Sequence, residues 1–61
     1  MSAAVWAAEH VGVTLEYRGV NATVVAAQGS RVVLVDEDGE RMKVLAEAVM
    51  RAYVAQFGGM N

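Results

Sequence analysis

Asp36, Glu37, Asp38 and Glu40 crowd into the stretch "RVVLVDEDGERMKV", residues 31 to 44. Carboxylates are the ligands that hard cations such as calcium and magnesium prefer. A twelve-residue calcium loop needs acids at alternating positions and a closing glutamate, and this stretch lacks that pattern. The other role open to these acids is conformational. Gly39 suits a left-handed turn position and Asp38 tolerates a corner, so the acids stay solvated while the chain reverses. The turn reading is the one adopted, and no metal or cofactor is expected.

The remaining candidates for catalysis are thin. His10 is the one histidine, and there are no cysteines to share a zinc ion with it. Glu9 precedes it, but adjacent residues on a helix diverge, and no third group completes an acid–base site. Ser2, Thr14, Thr23 and Ser30 lack any motif that would activate a hydroxyl. No catalytic residue is expected, so an enzyme is the less favoured class.

Two non-catalytic sets stand out. Arg18 and Arg31 sit beside turns, and Arg41 and Lys43 point outward from a strand, so together they form a candidate phosphate-binding set. The chain carries seven acids against five bases, a net charge of −2. A nucleic-acid binder usually has a basic patch or stripe. The preferred reading is a mixed surface that protects strand edges. Val49, Met50, Tyr53 and Phe57, with Trp6, form the other set. Aromatics and methionine are enriched at the cores of protein interfaces, and these residues are the interface candidates.

These residues must be positioned by short elements. Ser2 is a plausible N-cap for a helix from Ala3 to about His10, with Gly12 just past its end. Trp6 is the anchor expected to dock it. Val11, Val13, Leu15 and Tyr17 then alternate with polar residues, which predicts a half-buried strand. Gly19 and Asn21 mark a turn. Asn21 to Gln28 predicts a second strand, with Ala22, Val24 and Ala26 on one side and Val25 and Ala27 on the other. Gly29-Ser30 turns the chain again. Arg31 to Asp36 is a third strand, β-branched and apolar on both faces. Glu40 to Val44 is a fourth, with Met42 and Val44 inward. Leu45 to Phe57 is rich in helix formers and ends at Gly58-Gly59, a C-cap signal. Glu47 and Arg51 sit four apart on its polar stripe. Four strands joined by tight turns predict an antiparallel meander, mainly β, curled or closed into a small barrel and covered by the two helices.

Over Val13 to Leu45 this pattern resembles a small SH3-like barrel of the Tudor or KOW kind. The likeness rests on Tyr17-Arg18-Gly19 at the first turn, Ala22-x-Val24, Val33-x-Val35, and Asp38-Gly39 before the fourth strand. It covers about half of the chain and implies a fold. Tudor domains that read methylated side chains use an aromatic cage. Of Trp6, Tyr17, Tyr53 and Phe57, only Tyr17 falls within the predicted strands. KOW modules carry glycine-rich loops and basic surfaces. The small plasmid-borne dihydrofolate reductases are SH3-like chains whose site forms between subunits. Their pore strand carries Val-Gln-Ile-Tyr, where this chain has Arg41-Met42-Lys43-Val44.

Size sharpens the functional expectation. A chain of 61 residues makes a single domain. It buries only about 60% of the surface its unfolded form exposes, and domains this small usually need a disulfide, a metal or another subunit. Without cysteines, a second subunit is the staple left. The apolar fraction of 56% exceeds what so small a core can hide. The expected function is a non-enzymatic protein-interaction module that self-associates, a dimer first. The alternative is a small nucleic-acid-binding regulator, and the third is an enzyme with a site between subunits. No secretory signal and no apolar run of spanning length are present, so the expected location is cytoplasmic.

Overall fold

The computed structural model describes residues 2–58. Its elements are a helix α1 (Ala3–Glu9), strands β1 (Thr14–Tyr17), β2 (Val20–Gln28), β3 (Arg31–Asp36) and β4 (Arg41–Leu45), and a helix α2 (Ala46–Phe57). The strands form one antiparallel sheet in the order β1-β2-β3-β4. This is the curled meander with two helices. It is not a closed barrel: β1 and β4 do not pair, and each is a sheet edge.

Each reversal is written in local chemistry. Between Tyr17 and Val20, Arg18 and Gly19 both have positive φ, 54° and 85°. That is the type I′ hairpin, whose twist matches that of its strands. The turn is therefore Arg18-Gly19, and Asn21 lies inside β2 opposite Glu16. At the acidic turn, Gly39 N–H donates to the Asp36 carbonyl and Asp36 N–H to the Glu40 carbonyl, both at 3.0 Å. With Gly39 at φ 82° this is a three-residue loop closed by a left-handed glycine. A Cβ on Gly39 would meet open space, so the backbone alone opposes a side chain. Gly39→Val is expected to lower stability by roughly 1–2 kcal/mol, the cost of an L-residue in that region. A thermal melt checks this, and an unchanged midpoint would refute the turn assignment.

The core lies between one face of the sheet and the two helices. Leu15 and Tyr17 from β1, Ala22 and Val24 from β2, and Val32 and Leu34 from β3 are buried against Trp6, Ala7, Ala46 and Val49. Met42 and Val44 of β4 are half-buried against that cluster. The alternation in β2 breaks at Val25. Val24 pairs with Leu34, and the next pair is Ala26 with Val33. Val25 is thus a bulge residue that flips the faces. Ala27 packs on the core in place of Ala26, against the simple alternation expected for this strand. Val11 is likewise outside β1 and about half exposed. The chain turns at Gly12, φ 101°, and its N–H donates to the Val24 carbonyl at 2.7 Å.

The helices are capped as their sequences suggest. The Ser2 hydroxyl accepts from Val5 N–H at 3.1 Å. Ala46, the first residue of α2, donates to the Ser30 carbonyl at 2.8 Å, which satisfies one of the otherwise unpaired helix-start donors. At the other end Gly58 takes the left-handed cap, φ 76°, and donates to Val54. Gly59 falls outside the described residues. No helix among those described is long and apolar enough to cross a membrane.

Candidate interaction surfaces

Three surfaces follow from this frame. The first lies where α1 crosses α2. Trp6 stacks on His10 with ring centroids 4.3 Å apart, and the Tyr53 ring meets both edge-on at 5.4 Å. Tyr53 in turn leans on Phe57 at 4.7 Å. Trp6 is 5% exposed and Phe57 is 59% exposed, so the ladder runs from the core into solvent. His10 Nδ1 lies 2.6 Å from the Trp6 carbonyl. A carbonyl only accepts, so Nδ1 is the donor and carries the proton. The imidazole is thus committed to packing and to the end of α1, and it makes no hydrogen bond to Glu9 among the described residues.

Of the interface candidates, Trp6 and Val49 are spent on the chain's own core. Met50 and Tyr53 are half-buried against it, and Phe57 projects beyond it. Val54 joins them as an exposed neighbour one turn before Phe57. The stripe Met50, Tyr53, Val54, Phe57 follows the i, i+3, i+4, i+7 spacing of one helix side, and its exposure rises toward the end of the helix.

The second surface is the sheet face turned away from the helices. The register places Arg41 opposite Val35, Lys43 opposite Val33 and Leu45 opposite Arg31. All six side chains lie on that outer face, because their strand neighbours Val32, Leu34, Met42 and Val44 face the core. Arg31, Arg41 and Lys43 are thus gathered beside Val33 and Val35, although they are scattered in the sequence. Arg18 is not with them. It sits at the β1–β2 hairpin, its guanidinium carbon 5.4 Å from the Tyr17 ring centroid. The remaining base, Arg51, pairs with Glu47 at 2.9 Å on exposed α2, a contact worth at most a few tenths of a kcal/mol, about 0.3–0.5.

The third is the acidic turn. Asp36 Oδ1 accepts from Asp38 N–H and Glu40 N–H, each at 2.9 Å, so this carboxylate ties the loop together. Glu37 reaches across to the Asn21 amide at 3.3 Å. Asp36 and Glu37 are thereby held by the turn and by the neighbouring hairpin. Among the described residues no group of three or more His, Asp or Glu converges as a metal site.

The two sheet edges differ, and no sequence signal announced it. The Gln56 side chain of α2 reaches β1: its Oε1 accepts from Glu16 N–H at 2.8 Å, and its Nε2 donates to the Glu16 carbonyl. One amide thereby occupies the β1 edge much as a neighbouring strand would. On β4 the ladder bonds alternate between Asp36–Glu40, at one end, and Ser30–Ala46, at the other. By that alternation Met42 and Val44 bond to β3, and the N–H and C=O groups of Arg41, Lys43 and Leu45 face outward. No partner for these groups occurs among the described residues. Against this geometry, no family model matches the chain, and neither the curated proteins nor the solved structures compared with it show a significant match.

Proposed function

We propose that the chain is a non-enzymatic protein-interaction module that self-associates through the exposed end of α2. The observation that carries this reading is Phe57, tilted against Tyr53 yet 59% exposed, with Val54 beside it. Burying a large apolar side chain stabilises by about 1.5–3 kcal/mol relative to exposure. A second copy placing the same stripe against this one would recover that free energy in a two-fold arrangement, where one patch serves both chains. The size of the core supports the need. Among the described residues the large buried side chains are Leu34, Val24, Val32, Val49, Leu15, Trp6 and Tyr17, a small core for a chain without disulfides.

The test is mass in solution across a dilution series, for the native chain and for Phe57→Asp. The native chain is expected above monomer mass, with the variant folded and monomeric, since Phe57 adds little to the core. A native chain that stays monomeric at high concentration would refute self-association.

A second reading, a nucleic-acid-binding regulator, gains one observation: Arg31, Arg41 and Lys43 share the outer sheet face. Three bases offer few phosphate contacts, and the acidic turn adjoins Arg41. Binding whose constant falls steeply with salt would mark this reading.

A further inference from the structure

The open edge of β4 deepens the reading of the chain as an interaction module, and rests on it. We propose that β4 takes up an extended acidic segment of a partner protein as a fifth strand. Three features of β4 converge on that occupant. The outward N–H and C=O groups of Arg41, Lys43 and Leu45 form an unpaired peptide edge, the group that strand addition recognises. The side chains of Arg41 and Lys43 stand on the outer face along this edge, without an ion-pair partner among the described residues. Leu45 continues the same row and is half exposed. On the inner face Met42 and Val44 are only half-buried, so an added strand would complete their cover.

These features specify a sequence pattern. In antiparallel addition the partner runs from Leu45 toward Arg41. Opposite Leu45 and Val44 it carries two apolar residues. Opposite Lys43 it carries an acid, opposite Met42 an apolar residue, and opposite Arg41 a second acid. Cross-strand opposite charges attract and like charges repel, so the basic row selects acidic segments and rejects another copy of β4. Nucleic acid would satisfy the charges and leave the peptide edge unpaired, which is why a peptide is the better fit. β1 of a second copy has a related pattern, with Leu15 and Glu16, but the outward backbone groups of its Glu16 are already bonded to Gln56.

The experiment uses a capped synthetic peptide containing Val-Val-Glu-Val-Glu, titrated into the whole chain while backbone amide exchange is followed by NMR. The expected result is saturable binding with slowed exchange at the amides of Arg41, Lys43 and Leu45. The amides of Met42 and Val44, already bonded to β3, should change little. Lys43→Glu should weaken binding roughly three- to tenfold, as a lost attraction plus a new repulsion would. A peptide with lysine opposite position 43 should restore it. Absence of saturable binding, or binding without the alternating protection, overturns the proposal. So does an oligonucleotide that binds more tightly at physiological salt. Edge amides that are already protected in the free protein and lose protection on dilution would assign the edge to a second copy instead, and would equally overturn it. Self-association through α2 is read separately, by mass, so either idea can fail alone: peptide protection retained in a monomeric chain removes only the dimer, and a dimer without edge protection removes only this site.

Discussion

Leu34→Ala is expected to remove a large share of the stability of the fold, about 2–5 kcal/mol. Leu34 is fully buried in β3, with β2 on one side and β4 on the other. It stands opposite Val24 and Met42 on the face that meets the helices. Removing a buried leucine to alanine costs about 2–5 kcal/mol, because lost transfer free energy adds to the cavity left behind. Native stability scales as roughly 0.05–0.15 kcal/mol per residue. For 61 residues that is roughly 3–9 kcal/mol, so the expected loss is a large share of it and reaches the whole at the low end. β3 cannot relax inward easily, since both its neighbours hold it by ladder bonds. The measurement is urea unfolding followed by far-ultraviolet circular dichroism. A variant with a cooperative transition and a midpoint close to the native one would show that the core lies elsewhere.

Trp6→Ala is the second large effect, about 3–5 kcal/mol for a buried tryptophan. Trp6 is the anchor of a seven-residue helix, and a helix this short has little stability of its own. The substitution removes the stack on His10 and the edge contact to Tyr53 together. It uncovers part of β2 as well, because α1 packs on that strand and Trp6 shares the core cluster with its Ala22 and Val24. The expected outcome is loss of α1 from the fold, read as reduced helical signal and rapid exchange of the Trp6–His10 amides, with the sheet unstable behind it. Trp6→Phe, which keeps a ring, should recover part of the loss. A Trp6→Ala protein with native helix content and stability within about 1 kcal/mol of the original would contradict the docking role, given typical effects at buried sites.

Much of this architecture was readable from residue order. Leu15 and Tyr17 alternate with Thr14 and Glu16, Gly19, Gly29 and Gly39 fall at the reversals, and Ser2 and Gly58 bound the helices. The curled meander follows from those signals, because period and turn chemistry are local. The features that residue order does not carry have a common cause. Val25 carries no mark of a bulge, yet its extra residue moves Ala27 onto the core and Ala26 off it. Arg31 and Lys43 share a face only through strand register. Trp6 and Val49 looked like candidates for another chain, but tertiary packing places them in the core. His10 joins the aromatic ladder because α1 crosses α2. The Gln56 bond to Glu16 spans forty residues, and nothing about an exposed glutamine on a helix points to a strand edge. Periodicity tells which residues share a face of one element. It does not tell which elements that face meets.

The Gln56 bridge has a consequence for how a second copy could meet β1. A sheet that presents a free edge at each end has the geometry of a growing fibre: each copy can lay its β1 along the β4 of the next, and nothing in that head-to-tail repeat makes it close on itself. The patterns would even agree, with Leu15 toward Met42 and Glu16 toward Arg41. The backbone of Glu16 is already bonded from within the same chain, so the Gln56 amide would have to be displaced before such a series could pass through it. Leu34 and Trp6 hold the core, while Gln56, near the end of α2, sets its side-chain amide on the backbone groups of Glu16 that a neighbouring strand would have to use.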